Sequence, residues 1–308
     1  MSSNDQGWAD YWQQDGDSGE VFVNSKGERH PALADYWKNL FKYWPKDARV
    51  IDLASGAGSV FAHLPENHSF NLHAADIAEE ALQALSSRVP GVTTTVCSAA
   101  ETPFEDGSFN CVISQFGVEY AGIDAFTEAA RILAAGGQLA ALCHIEDGYI
   151  DSNNKSHLEG AILARDSGFI DLSLGLTQAA FSKSAADMAS SEAAFMPVAR
   201  AMTKAAEASP SGVHAHLLQG FMQLFQDRNA YDESDITGWL EGMRGELTKN
   251  IDRLSRMRAA ASSEEDIEII EKNLMSAGLQ DIQFNLFKTP GNELPVAWQL
   301  TARRPAAQ

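Results

Sequence analysis

The stretch Val50-Ile51-Asp52-Leu53-Ala54-Ser55-Gly56-Ala57-Gly58 constrains this chain more than any other. Val50 to Leu53 read as the end of a buried strand, and the small residues after them open a tight turn. Glycine has no Cβ, so the backbone at Gly56 and Gly58 can turn left-handed and approach a ligand closely. Residues 59–64 then read as a helix, whose first amides would face that ligand. The next apolar run, 70–75, ends in Asp76, which stands 18 residues past Gly58. An acid at that point can accept both hydroxyls of a ribose. A glycine turn alone is an ordinary strand-to-helix junction. Joined to a strand-end Asp at this spacing, it predicts an adenosine-containing ligand.

A dinucleotide site requires a third small residue three positions after the second glycine, so that helix and strand pack closely. Phe61 occupies that position. Its bulk argues against NAD or FAD.

The pattern continues along the chain. Residues 78–88 carry helical spacing, 93–97 are short and β-branched, 110–114 are apolar, 123–135 read as a helix stopped by Gly136-Gly137, and 138–145 form another strand. Strand and helix alternate at least four times, as in a parallel sheet covered by helices on both faces. Residues 151–261 differ: rich in Ala, Ser, Met, Leu and Gln, they read as several helices punctuated by Pro197 and Pro210. Ser262 with Glu265 offers a capping box for a helix through Met275, ending near Gly278. Residues 282–287 and 296–301 then read as a closing β-hairpin around Thr289-Pro290-Gly291-Asn292.

These residues resemble the class I S-adenosylmethionine-dependent methyltransferases. The resemblance covers roughly residues 45–145 and the C-terminal hairpin. Ile51 to Gly58 resemble that family's first motif, with Asp76 as its ribose-binding acid. Thr102-Pro103-Phe104-Glu105-Asp106-Gly107-Ser108-Phe109-Asn110 is similar to the family's LPF-x-DGSFD. Arg131-Ile132-Leu133-Ala134-Ala135-Gly136-Gly137 is similar to the helix end and double glycine before its fifth strand. Two positions depart from the family pattern. Ala54 stands at the usual first glycine, and Ser98 stands where many members carry an Asp that contacts adenine.

The resemblance implies a Rossmann-like, doubly wound, mostly parallel seven-stranded α/β sheet with an antiparallel C-terminal hairpin and a large helical insertion. It implies S-adenosyl-L-methionine as cofactor and S-adenosyl-L-homocysteine as product. The cofactor-binding residues it implies are Asp52, Ala54, Ser55, Gly56, Gly58, Asp76, Ile77, Ser98, Ala99, Ala100, Gln115 and Phe116, with Tyr11 folding over the ligand from the N-terminal segment. Tyr11-Trp12 can equally be packed core, as can Trp37 and Trp44.

Methyl transfer is an in-line displacement, and a general base is needed only when the acceptor must lose a proton. The acceptor is expected over the C-terminal ends of the fourth and fifth strands. His144 is the base candidate, with Glu119 and Tyr120 as further catalytic candidates; each can also be a structural residue. His214 and His216 lack the i,i+4 spacing of a helical metal pair, so no metal site is expected. Arg29-His30 is an anion contact or a solvated pair.

The chain carries 23 Lys+Arg against 42 Asp+Glu, a net charge of −19. Such a charge disfavours nucleic acid and anionic membrane surfaces as partners. It falls mostly on the first half, with eight basic and 21 acidic residues up to position 150 against 15 and 21 after it. Cys97, Cys111 and Cys143 show no paired spacing and read as buried thiols of a cytoplasmic protein. No membrane span or signal peptide is expected.

The division read from the sequence is 1–44 as an aromatic N-terminal cap, 45–150 as the cofactor-binding core, 151–261 as the helical insertion, and 262–308 completing the core. The insertion is expected to act as a lid that selects the acceptor, or as a homodimerising element. Phe195, Met196, Met202, Met222 and Phe225 line an acceptor pocket or form the insertion's own core. The expected function is methylation of a small-molecule acceptor. The alternatives are a protein-substrate methyltransferase and a cofactor-binding regulatory module without turnover.

Overall fold

A computed structural model describes Phe22 and residues 30–307 of the chain. Described residues up to Asp151, with those from Ala260 onward, form one compact unit; Ser152–Ala259 form a second.

The first unit is built on a seven-stranded sheet of order β3-β2-β1-β4-β5-β7-β6. Its strands are β1 (Arg49–Leu53), β2 (Asn71–Asp76), β3 (Thr93–Val96), β4 (Phe109–Gln115), β5 (Leu133–His144), β6 (Gln280–Phe287) and β7 (Ala297–Arg303). β1 to β5 pair in parallel, and β7 runs antiparallel between β5 and β6. The helices on this sheet are α1 (Pro31–Phe41), α2 (Glu79–Arg88), α3 (Asp124–Ile132) and α9 (Glu264–Ser276).

Strands buried on both faces read as nearly continuous apolar runs, which is what Val50 to Leu53 show. Alternate side chains divide between the two layers. Val50, Ile113 and Leu142 pack with Leu33, Trp37 and Phe41 of α1 and Leu82 and Leu85 of α2. Ile51, Val112 and Leu139 pack with Phe126 of α3 and Ile270 and Leu274 of α9. In α1, Leu33, Trp37 and Phe41 recur every four residues and so share one buried face. Burying a side chain of that size contributes about 2–3 kcal/mol. Pro31 starts this helix, and His30 Nδ1 accepts the Ala32 N–H at 3.2 Å. His30 therefore caps a helix.

The strand order reverses between β1 and β4. In open sheets of this kind the ligand crevice lies beyond the carboxyl ends of the strands at that switch point.

Four local expectations are corrected. Residues 59–64 form only a 3-10 turn, Val60–His63, because Pro65 follows at once. α3 ends at Ile132, and β5 begins at Leu133, opposite Phe109, so Gly136-Gly137 lies inside the strand. There Gly136 sits at φ 76, donating to the Arg304 and Pro305 carbonyls at 3.0 and 3.1 Å. The capping box belongs to Ser263 and Asp266. Ser262 instead extends the sheet beyond β5, donating to His144 O at 2.9 Å and accepting from Glu146 N at 3.1 Å. Pro197 does not break a helix but lies within α6 (Ala185–Ala208).

The second unit takes most of α4 (Tyr149–Asp166), then α5 (Phe169–Ser182), α6, α7 (Val213–Gln226) and most of α8 (Glu233–Ala260). Phe169, Phe195 and Phe221 meet pairwise with ring centroids 5.4–6.0 Å apart. Met202 and Leu240 are buried in the same core. Phe195 and Ala199, two positions before and after Pro197, are buried in this core, and the proline lies inside the helix between them. Met196 and Met222 are exposed, and Phe225 is partly buried against the core. Among the described residues no helix is long and apolar enough to cross a membrane.

Candidate active site

The turn after β1 is left-handed at three positions: Ala54 at φ 50, Gly56 at φ 50 and Gly58 at φ 80. Ser55 N donates to Ala75 O of β2 at 3.1 Å, and Gly58 N closes the turn on Ser55 O at 2.9 Å. The Arg88 guanidinium of α2 donates to the Ala57 carbonyl. A Cβ on Gly58 would strike the Leu85 side chain, so that glycine serves helix packing as well as the turn. Ala54 holds a conformation that disfavours an L-residue by about 1–2 kcal/mol. Its carbonyl and Cβ lie against Gly117, which follows β4 and has no room for a side chain. The exits of β1 and β4 thus meet at close range. After Gly58 the chain supplies one short 3-10 turn rather than the long helix N-terminus on which a pyrophosphate would rest.

Two buried carboxylates flank this turn. Asp76 ends β2; its Oδ2 accepts the Gly56 N–H at 2.7 Å and its Oδ1 the Ala78 N–H at 2.9 Å. Each oxygen keeps a further lone pair. Burial raises the Asp76 pKa, and the amides of Ala78, Gly56 and Ile77 partly oppose that rise. Asp52, one residue before the end of β1, is 1% exposed, and neither of its oxygens has a hydrogen-bond partner. Burial, followed by the nearby Asp76 charge, holds its pKa well above the ordinary carboxylate value. A buried acid without protein partners is costly and marks a place where a cation can be received.

A second cluster stands beyond β4 and β5. Glu119 Oε1 accepts both the backbone N–H of His144, at 2.8 Å, and its ring Nδ1–H, at 2.7 Å. A carboxylate oxygen only accepts, so Nδ1 carries a proton in this contact, and Nε2 takes no part in it. Nε2 of His144 and Oε2 of Glu119 are buried without a protein partner. The Phe116 ring lies 4.7 Å from the imidazole, and the Tyr120 ring meets it edge-on at 5.7 Å. Phe116 itself is left-handed at φ 52, a strained conformation of the kind that collects at functional sites. The structure thus brings His144, Glu119, Tyr120 and Phe116 together.

Gln115 is committed to neighbouring side chains. Its Oε1 accepts from Trp37 Nε1 at 2.6 Å, and its Nε2 donates to Ser59 Oγ at 3.1 Å. It ties α1 to the glycine turn. This bond could not be read from the sequence, where Trp37 shows only as a periodic apolar residue. At the exit of β3, Ser98 Oγ accepts from Ala100 N at 3.2 Å, and Ala99 is buried. Ile77, directly after Asp76, is 44% exposed, a large apolar side chain open beside the acid. Tyr11 and Arg29 lie outside the described residues. All three cysteines are free; Cys111 and Cys143 are buried and Cys97 is half-buried. His214 and His216 belong to α7 of the second unit, where the His214 ring packs against Gly160 and Gly212 and His216 meets Trp239 edge-on.

Residues 50–137 match the family profile described as a methyltransferase domain. No curated protein matches the chain in sequence. Three solved structures illustrate the similarity. A Haloferax volcanii protein assigned as a methyltransferase, in complex with the Trm112 methyltransferase activator, is 23% identical over 45% of this chain and 62% of its own, with a TM-score of 0.38. The Streptomyces coelicolor geranyl diphosphate C-methyltransferase is 18% identical over 38% of this chain and 44% of its own, TM-score 0.35. A Methanococcus maripaludis protein assigned as an S-adenosyl-L-methionine-dependent methyltransferase is 12% identical over 99% of this chain and 93% of its own, TM-score 0.45. The chain spans 62% and 44% of the lengths of the first two.

Proposed function

We propose that this chain, whose residues 50–137 match a methyltransferase domain, is a class I, S-adenosylmethionine-dependent enzyme that methylates a small-molecule acceptor whose attacking atom gives up a proton. The methyltransferase domain implies S-adenosylmethionine as the cofactor, and the residues present fit it. Asp52 is a buried, unpartnered acid suited to the cationic amino-acid end. Asp76 keeps lone pairs for the ribose hydroxyls, while Ile77, Ser98, Ala99 and Ala100 stand on the side of the base. Gln115, Phe116 and Gly117 line the methionine portion. When bound, the cofactor supplies a methyl group on a sulfonium, which leaves as a neutral thioether.

The chain's own residues then have two tasks. The glycine turn and the two acids hold the donor, so that positioning carries much of the acceleration. His144 Nε2 accepts the acceptor's proton, and Glu119 keeps the ring in the Nδ1–H form, stabilises the imidazolium that results, and fixes its direction. Phe116 and Tyr120 keep water from the base. The single observation that carries the reading is the buried Glu119–His144 pair with Nε2 left open. The helical unit, which is inserted between β5 and α9 outside the matched segment, is proposed as the acceptor-selecting lid. Three free thiols support a cytoplasmic setting.

A screen with labelled methyl donor against fractionated metabolites tests the proposal. It should yield S-adenosylhomocysteine and a labelled small product. His144→Ala should lower kcat by about 10²–10⁴-fold and leave S-adenosylhomocysteine affinity unchanged. Unchanged turnover would remove His144 as the base. Binding with no product from any fraction would favour a regulatory module.

A further inference from the structure

The segment joining β3 to β4, residues 97–108, is clamped by a single turn of α3. Glu128 Oε1 accepts both the N–H and the Oγ1–H of Thr102, at 2.8 and 2.5 Å. Arg131 grips the same carboxylate with two donors, Nε to Oε2 and Nη2 to Oε1, each at 2.7 Å. Its third nitrogen, Nη1, reaches Asp106 Oδ1 at 2.6 Å, and its carbonyl accepts Gly107 N at 3.0 Å. Burial pushes the Glu128 pKa up, but the bonds from Arg131 and Thr102 outweigh it and hold the acid below its ordinary value. Fork-to-carboxylate pairs with this geometry are directional and resist rearrangement. Thr102 stands where the motif quoted above carries Leu, and a leucine could not supply the hydroxyl that Glu128 accepts.

This clamp holds the stretch between it and Asp76. Cys97 N donates to the carbonyl of Asp76 at 3.0 Å. Ser98 and Glu101 then bridge antiparallel, with Glu101 N on Ser98 O at 3.2 Å and Ala100 N on Ser98 Oγ at 3.2 Å. Residues 98–101 are therefore anchored at one end by the ribose-binding acid and at the other by Glu128. On the cofactor reading above, the base follows the ribose from Asp76 toward this stretch, which the Cys97 N to Asp76 O bond ties to that acid, and toward the exposed Ile77 next to it.

We propose that Glu128, with Thr102 and Arg131, is the positioning device for the adenine ring, setting the 98–101 stretch at the distance that the base requires. The inference rests on the cofactor reading above. Glu128 touches no part of the ligand and acts through Thr102, so its removal should affect the base and spare the rest of the molecule.

The test compares two probes by calorimetry: S-adenosyl-L-homocysteine, and S-ribosyl-L-homocysteine, which lacks only the base. The unmodified protein should bind the first more tightly. Glu128→Ala and Thr102→Val should each weaken S-adenosylhomocysteine by about tenfold and leave S-ribosylhomocysteine unchanged. Thr102→Ser, which keeps the hydroxyl, should restore binding. If Glu128→Ala does not fold, the Thr102 pair carries the test alone. Equal weakening of both probes, or no weakening of either, overturns the clamp and leaves the cofactor reading standing. An unmodified protein that fails to bind S-adenosylhomocysteine overturns the cofactor reading and the clamp with it.

Discussion

The two units differ in where their unsatisfied buried polar groups lie. In the helical unit the Ser173 and Thr177 hydroxyls bond within their own helix, Ser173 Oγ to Phe169 O at 2.7 Å and Thr177 Oγ1 to Ser173 O at 2.8 Å, while Ser209 Oγ, Asn250 Oδ1 and the His214 ring nitrogens, buried without a hydrogen-bond partner, are scattered along separate helices and turns. In the sheet unit, Asp52, Glu119 and His144 each hold buried atoms without a protein partner, and all three lie at or just beyond the carboxyl ends of β1, β4 and β5. Native interiors rarely leave such groups unsatisfied. These three stand at the mouth of the parallel sheet, where the ligand crevice of such a fold lies. The helical unit carries its buried charge problem differently. Burial lowers the pKa of both His214 and His157, with the Ala205 carbonyl partly opposing that shift at His214, and His214 and Arg253 adding to it at His157.

The largest effect should come from Asp76→Ala, which removes both ribose acceptors and frees the Gly56 and Ala78 amides. S-adenosylhomocysteine affinity should fall by about 100-fold, and unchanged affinity would sink the ribose assignment. Asp52→Asn should lower affinity by about tenfold while raising the melting temperature of the free protein, since it removes a buried, unpaired acid. A variant that loses stability instead would show that Asp52 already has a partner.

Acid should weaken the helical unit through two histidines, and the sheet unit holds one of the same kind, His73, whose pKa burial also lowers. Because the folded pKa values of His157 and His214 lie below 6.5, the folded helical unit binds fewer protons than its unfolded chain. The stabilisation is full above pH 6.5 and is lost as the pH falls through the lowered values. Amide exchange in α4 and α7 should therefore accelerate on acidification, and His214→Gln should flatten that response. Equal acceleration in wild type and variant would contradict it. The smallest effect compares two strained residues, Ala54 at φ 50 and Lys183 at φ 56. Glycine at either should stabilise by about 0.5–1 kcal/mol. Only Ala54→Gly should alter S-adenosylhomocysteine affinity, because its turn carries Ser55 and Gly56.

Much of the sheet was legible because its strands are short apolar runs closed by Gly or Asp, and periodicity reports such runs directly. Asp76 and the glycine turn were legible for the same reason, being local in sequence. What escaped depends on distance along the chain. Gln115 meets Trp37 across 78 positions and Thr102 meets Glu128 across 26, and neither pairing leaves a periodic trace. Boundaries failed where tertiary bonds outweighed local propensity. Ser262 was drawn into the sheet by His144 and Glu146, which moved the cap to Ser263, and Pro197 lies in a helix whose flanking Phe195 and Ala199 are buried in the core.

The central claim is that the unpartnered acid at the end of β1 awaits a cationic ligand. Calorimetric titration of the unmodified protein with S-adenosylhomocysteine at pH 8 and at pH 5, in buffers of different ionisation heat, tests it directly. Burial raises the Asp52 pKa, and a cation beside it favours the ionised form, so binding should be coupled to proton release and should weaken as the pH falls. Binding of equal strength at both, with no proton exchanged, would contradict the account.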